Sequence, residues 1–143
     1  MKERIFLDTN VLVYLYDKDA PEKRARSLSV LERSRESFRL VISTQVLQEF
    51  YVTVSRKLLK HLSEEEILLA AHKLQGFPTV QINVPIIFDA IDLGRRFQLS
   101  FWDALIIQAA LVAGCTRLLT EDLQHGLRIG DLTVENPFLM ARE

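Results

Sequence analysis

Short apolar runs alternate with helical periodicities along this chain. Ile5-Phe6-Leu7 ends abruptly at Asp8, as a buried strand entering a turn does. Positions 10–16 read as a short helix, broken over Asp17 to Pro21, and Pro21 can open the next helix. Ala25, Leu28 and Leu31 give that helix its expected apolar stripe. Leu40-Val41-Ile42 is a second strand, and Ser43 or Thr44 caps a helix expected to run to about Leu59. Ser63 and Glu66 form a capping-box pattern, opening a helix that carries Ile67, Ala70, Ala71 and Leu74 and closes at Gly76 and Pro78. Val80 and Ile82 alternate with polar neighbours, as in a third strand. Asn83 and Pro85 start a helix through Phe88, Ile91 and Phe97. Ser100 caps another bearing Leu105, Ile106, Ala109 and Val112, which stops at Gly114. Arg117-Leu118-Leu119-Thr120 is the last core strand, and Leu132-Thr133-Val134 reads as a final edge strand.

Strands alternating with helices predict an α/β fold with a mostly parallel sheet. The extra helices between the second and third strands are expected to project as an arm. With 143 residues and no linker, repeat or charge block, residues 1–143 are expected to form one domain.

Composition narrows the function. The chain is 48% hydrophobic and 26% charged, enough apolar material for a core and no sign of disorder. Its formal net charge of −1 argues against nucleic-acid binding by bulk charge alone. Cys115 is the single cysteine, so no intrachain disulfide is available. The first apolar run is too short for a signal peptide, and no run approaches a membrane span. The expected compartment is the cytoplasm.

Ligands of parallel α/β sheets bind at the carboxyl ends of the strands. Asp8 follows the first strand, and Thr120, Glu121 and Asp122 follow the Arg117–Leu119 run. Glu49 lies in the helix after the second strand, and Asp103 in the first turn of the helix that Ser100 begins. Acids from these distant segments could converge at one sheet edge. Clustered carboxylates repel, and persist only with cations or protons to compensate them. Oxygen donors without His or Cys partners favour Mg²⁺ or Mn²⁺ over Zn²⁺, and such sites hydrolyse phosphodiesters.

Structural roles compete at each position. Asp8 suits a turn and cap, Ser100 and Asp103 match a capping pattern, and Gln45, Gln48, Glu49 and Thr53 could be a solvated helix face. Spacing alone does not choose between Glu121 and Asp122. Asn10 and Thr120 are polar residues at strand ends, suited to hydrogen-bonding the acids. Trp102 reads as core rather than as a base-stacking platform, Phe6, Phe50, Phe77 and Phe88 likewise read as packing, and Cys115 as buried and inert. Arg24, Arg26, Arg56, Lys57, Lys60, Arg95, Arg96, Arg117 and Arg128 are candidates for RNA contact, of which a few are expected to line a groove.

Taken in order, these segments resemble the PIN-domain family, and within it the VapC-like toxins of toxin–antitoxin systems. The resemblance spans nearly the whole chain. Ile5-Phe6-Leu7-Asp8-Thr9-Asn10 is similar to the family's first motif, and Ser43 to Phe50, with Glu49 as the acid, to its second. Leu99-Ser100-Phe101-Trp102-Asp103-Ala104-Leu105-Ile106 resembles the third. Leu118-Leu119-Thr120-Glu121-Asp122 resembles the fourth, with Asp122 in the Thr-x-Asp position. The resemblance implies a three-layer α/β/α fold with a helical arm. It implies Asp8, Glu49, Asp103 and Asp122 as catalytic, metal-holding acids, with Asn10, Ser100 and Thr120 in support and Glu121 as an auxiliary acid. It implies Mg²⁺- or Mn²⁺-dependent endonucleolytic hydrolysis of RNA, a homodimer, and a VapB-like antitoxin as partner.

Three other readings compete. A haloacid-dehalogenase-like phosphatase needs a second Asp two residues after the first, where this chain has Asn10. A receiver-type signalling module needs paired acids after the first strand and a late Lys, yet Asp8 has no acidic neighbour and no Lys follows Lys73. A catalytically silent PIN fold that only binds a partner ranks below the enzyme because all four acids are present.

Overall fold

A computed structural model describes residues 2–58 and 60–139. Strand β1 (Glu3–Leu7) takes the centre of the sheet, because Ile5, Phe6 and Leu7 are apolar and fully buried. Helices α1 (Thr9–Tyr14) and α2 (Pro21–Ser37) lead to β2 (Phe38–Ser43). Then come α3 (Thr44–Lys57), α4 (Glu64–Lys73), a 3₁₀ turn at Leu74–Gly76 and β3 (Thr79–Val80). Helices α5 (Val84–Phe97) and α6 (Phe101–Val112) precede β4 (Arg117–Leu119), β5 (Arg128–Ile129) and β6 (Leu132–Glu135).

The sheet order is β3-β2-β1-β4-β6-β5, with every pairing parallel except β5 with β6. This is the expected three-layer α/β/α fold. The chain builds outward from β1 to β3, then crosses back to lay β4 on the other side of β1. That reversal opens a crevice at the carboxyl ends of β1 and β4, where open α/β sheets take their ligands.

Several expectations are corrected. Helix α1 spans Thr9–Tyr14 rather than 10–16, because Asp8 caps it one residue earlier. The buried seam of α2 is Ser27 and Val30, while Ala25 and Leu28 face out, since a small buried hydroxyl holds a seam position that hydrophobicity does not mark. Helix α3 ends at Lys57, and Leu59 lies outside the described residues, as do Met1 and residues 140–143. The ladder of β3 stops at Val80, and the N–H of Ile82 turns instead to the Thr44 hydroxyl at 3.1 Å. Strand β6 is not the edge, because the two-residue β5 pairs outside it. The capping box at Ser63 and Glu66 forms as expected, and Ile67 and Ala70 bury α4 against α3.

Helix α5 carries two apolar faces. Ile86, Ala90, Leu93 and Gly94 are the buried ones, and Phe88, Ile91 and Phe97 are exposed. Phe88 is therefore not a packing residue, at 65% exposure. Phe6, Phe50 and Cys115 are buried and Phe77 is partly so, as expected. Among the described residues no helix is long and apolar enough to cross a membrane.

Candidate functional site

Asp8 sits where β1 meets α1. Its extended backbone lets one carboxylate oxygen, Oδ1, accept the Thr9 N–H at 2.7 Å, so it does serve as the helix cap. Its own N–H donates to the Leu119 carbonyl at 3.0 Å, tying the ends of β1 and β4 together. The other oxygen, Oδ2, accepts the Thr120 hydroxyl at 2.8 Å. That hydroxyl also accepts the Asp122 N–H at 3.1 Å and the Asn10 Nδ2 donor at 3.3 Å. Asn10 Nδ2 donates in addition to Asp122 Oδ2 at 3.0 Å. Thr120 is thus the knot between two acids of different strands.

Glu49 and Asp103 come from helices. Ser43 caps α3 by accepting the Val46 N–H at 3.3 Å, and Gln45 and Glu49 follow one turn apart on the same face. The Thr9 hydroxyl donates to Glu49 Oε1 at 3.2 Å, and Gln45 Nε2 reaches the same oxygen at 3.5 Å. Gln45 Nε2 also donates to the Trp102 carbonyl at 3.3 Å, linking α3 to the first turn of α6. Ser100 accepts the Asp103 N–H at 3.1 Å, which fixes where that acid leaves the helix.

Asp8, Glu49, Asp103 and Asp122 line one cleft of about 330 Å³, and Asn10 and Glu121 line it with them. Ser100 does not line it and acts through the cap, while Thr120 is fully buried beneath it. Burial pushes the Asp8 carboxyl up to about 6, against the lowering effect of Thr120 and Thr9, and the charges of Asp122 and Glu49 raise it further. Burial also raises Glu49, against its hydrogen bonds from Thr9 and Gln45, and Asp122 and Asp103 add to the rise. None of the four acids forms an ion pair among the described residues.

The donor set suits a hard divalent cation, since it is anionic, all oxygen and uncompensated. Asn10 Oδ1 is a further oxygen, buried without a hydrogen-bond partner among the described residues. No three His, Cys, Asp or Glu side chains among the described residues make a ready-built ligand group. Like charges held apart across a cleft produce that spread, and Mg²⁺ keeps several waters while taking one or two carboxylates directly. An open oxygen-lined cleft fits it, where a closed cage would not.

Glu121 behaves differently. Its Oε1 accepts the Tyr14 hydroxyl at 2.6 Å, and its Oε2 pairs with Lys23 Nζ at 2.8 Å. Lys23 also donates to the Tyr14 hydroxyl at 3.2 Å and sits over the Tyr14 ring. Glu121 is thereby charge-paired at the rim, whereas the donor to the Asp122 carboxylate is the neutral Asn10 amide.

Sequence reasoning missed Thr9, Tyr14 and Lys23, and treated Gln45 as solvated although it is buried. The Thr9 position inside an Asp-Thr-Asn run was the available signal. Of the basic candidates only Lys57 lines the cleft, and Arg117 is committed to Glu3 and Glu135 at the far end of β4. Trp102 is not core: it is 62% exposed at the cleft mouth, because the second residue of α6 points away from the sheet.

The family model for the PIN domain matches residues 5–127. No curated protein matches the sequence. Among solved structures, the chain is similar to a protein of a toxin–antitoxin complex from Klebsiella pneumoniae. That match has 20% identity and a TM-score of 0.70, covering 93% of this chain and 97% of the other. A chain of VapBC2 from Rickettsia felis, solved bound to a promoter DNA fragment, matches at 22% identity and TM-score 0.67, covering 93% and 98%. VapC20 from Mycobacterium tuberculosis, a sarcin–ricin loop cleaving toxin, matches at 16% identity and TM-score 0.59, covering 80% and 86%.

Proposed function

Since the chain belongs to the PIN domain family, we propose that it is a metal-dependent endoribonuclease, the VapC-like toxin of a toxin–antitoxin pair. One observation carries the reading: Asp8, Glu49, Asp103 and Asp122, from four separate segments, line one cleft, and none of them is in an ion pair among the described residues. Burial first, and then the charges of the neighbouring acids, raise Asp8 and Glu49, and a divalent cation is the partner that relieves the repulsion.

Asp8, Glu49, Asp103 and Asp122 would hold Mg²⁺ or Mn²⁺. When bound, the cation lowers the pKa of water and neutralises the phosphate that the water attacks. The chain's own residues prepare the acids. Thr120 orients Asp8 and, by its hydrogen bond, favours the ionised form. Asn10 turns Asp122 toward the cleft, and Thr9 and Gln45 hold Glu49. Ser100 anchors the turn that carries Asp103. Lys57, on the wall of the same cleft, attracts the RNA backbone. Glu121, already paired with Lys23, is an auxiliary acid at the rim.

The similar structures are of toxin–antitoxin complexes and of a sarcin–ricin loop cleaving toxin. They support an antitoxin, VapB-like, as partner; a structured RNA as substrate, a second copy of the chain and the cytoplasm complete the proposal through the resemblance of the four motifs to VapC-like toxins.

The test is cleavage of labelled structured RNA by purified protein with Mg²⁺, with Mn²⁺ and with EDTA, alongside Asp8→Asn. Metal-dependent cutting that the variant lacks is expected. No cutting on a broad RNA panel, with no metal binding by calorimetry, would make the chain a silent binding module.

A further inference from the structure

We propose that Trp102 is a stacking platform for an unpaired base of the bound RNA strand, one residue from Asp103. This deepens the nuclease reading and rests on it. Trp102 lines both the carboxylate cleft and an adjoining hollow of about 410 Å³, shared with Gln45, Gln48, Glu49, Val52 and Thr53. The indole is 62% exposed, an apolar area that folding leaves in water.

The platform is held in place on two sides. The Phe101 ring meets it edge-on at 5.0 Å and 69°. Its carbonyl accepts from Gln45 Nε2, the same amide that reaches Glu49. A base stacked there would sit at a fixed distance from the acids, so the next phosphate along the strand enters the cleft in register.

Charge decides between occupants. The chain has a net charge of −1, and the cleft is acidic, so phosphate attraction supplies little affinity. Stacking on an aromatic face supplies it without charge and tolerates any base. The exposed lining of the hollow is mostly apolar, as the flat face of a base requires, and Gln45, Gln48, Glu49 and Thr53 ring Val52 and the indole with polar groups. Amide groups such as Gln48 suit base edges. Paired bases bury their faces, so the ligand is single-stranded or a loop.

Trp102 is the single tryptophan, so the intrinsic fluorescence of the full chain reports on this residue alone. The probes are a short oligouridylate, the same strand with abasic sites, and an RNA duplex, each titrated in Mg²⁺. Quenching by the intact single strand and little by the other two is expected. Binding of labelled oligouridylate, read by anisotropy, should weaken roughly 5- to 150-fold in Trp102→Ala and only slightly in Trp102→Phe. Equal quenching by the abasic strand, or unchanged binding by Trp102→Ala, overturns the platform. Should the Ala variant not fold, the wild-type quenching and the Phe variant still decide. Blue-shifted emission that RNA leaves unchanged would mean a second copy covers the indole, and would also overturn it. RNA cleavage without quenching rejects the platform alone, whereas neither binding nor cleavage rejects the nuclease reading with it.

Discussion

The Thr120 hydroxyl donates to the buried Oδ2 of Asp8 at 2.8 Å, bridging the carboxyl ends of β4 and β1. The same oxygen accepts the Asp122 N–H, so a single hydroxyl orients two acids. Thr120→Val keeps the shape and removes both contacts. Activity or metal affinity should fall about 10- to 100-fold. Stability should fall by about 1–3 kcal/mol in urea titrations, because a buried carboxylate oxygen loses its donor. The hydrogen bond lowers the Asp8 pKa, so its titration by NMR should move above the wild-type value of about 6. Thr120→Ser should restore it. An unmoved midpoint in the Val variant would dismiss this role.

Asp8 makes the metal-free protein less stable at neutral pH. Its carboxyl is raised to about 6 from the ordinary 3.8, so the folded state holds the proton more tightly than the unfolded chain does. Stability from this group is complete below about pH 4, is lost as pH rises toward 6, and stays lost above. In EDTA, Asp8→Asn should therefore be more stable than wild type by up to about 3 kcal/mol above pH 6. The difference should vanish near pH 4. Mg²⁺ should raise the melting temperature of wild type and leave the inactive variant unmoved. A variant less stable than wild type in EDTA at pH 7 would refute the burial argument.

The same residues show what could be read from sequence and what could not. Asp8 and Asp103 were legible because their signals are local: an apolar run broken by a charge, and a cap three residues upstream. The choice between Glu121 and Asp122 was open in the spacing and came only from the Thr-x-Asp resemblance, because physically it depends on Lys23, distant in sequence and brought over by α2. The buried face of α5 was not legible either. Phe88 and Ile91 make as good a stripe as Ile86, Ala90 and Leu93, and only the packing of α6 picks one. Trp102 misled through hydrophobicity, which ignores the direction a first-turn residue takes. Strand β5 has two residues, too few for any alternation.

Glu121 and Asp122 are adjacent yet should respond oppositely to removal of charge. Asp122→Asn takes a carboxylate from the cleft and should cost most of the RNA cleavage. Glu121→Gln leaves Asp8, Glu49, Asp103 and Asp122 intact and should change the rate only a few-fold. Its ion pair with Lys23 is partly exposed, so a double-mutant cycle of Glu121→Gln with Lys23→Met should give about 0.2–1 kcal/mol. Loss of cleavage in Glu121→Gln equal to that in Asp122→Asn would return Glu121 to the ligand set.

Gly94 sets how closely α5 approaches the start of α6, and thus where Asp103 stands. A Cβ there would meet the Leu99 carbonyl at 3.2 Å and the Ala104 Cβ at 3.3 Å. Neither neighbour moves freely. The Leu99 N–H is bonded to the Gly94 carbonyl at 2.9 Å, after Gln98 turns through a left-handed φ of 56°, and Ala104 is fully buried. Ala in a helix interior is intrinsically better than Gly by about 1 kcal/mol, but overpacking costs about 1–3 kcal/mol. With a backbone carbonyl as the obstacle, overpacking should win. Gly94→Ala should lower stability by about 1 kcal/mol and reduce cleavage severalfold by shifting the Ser100 cap and Asp103. Ala at exposed Gly76, where an added Cβ meets nothing, is the control and should leave cleavage unchanged. A stabilised, fully active Gly94→Ala protein would show that α6 can yield without disturbing the acids.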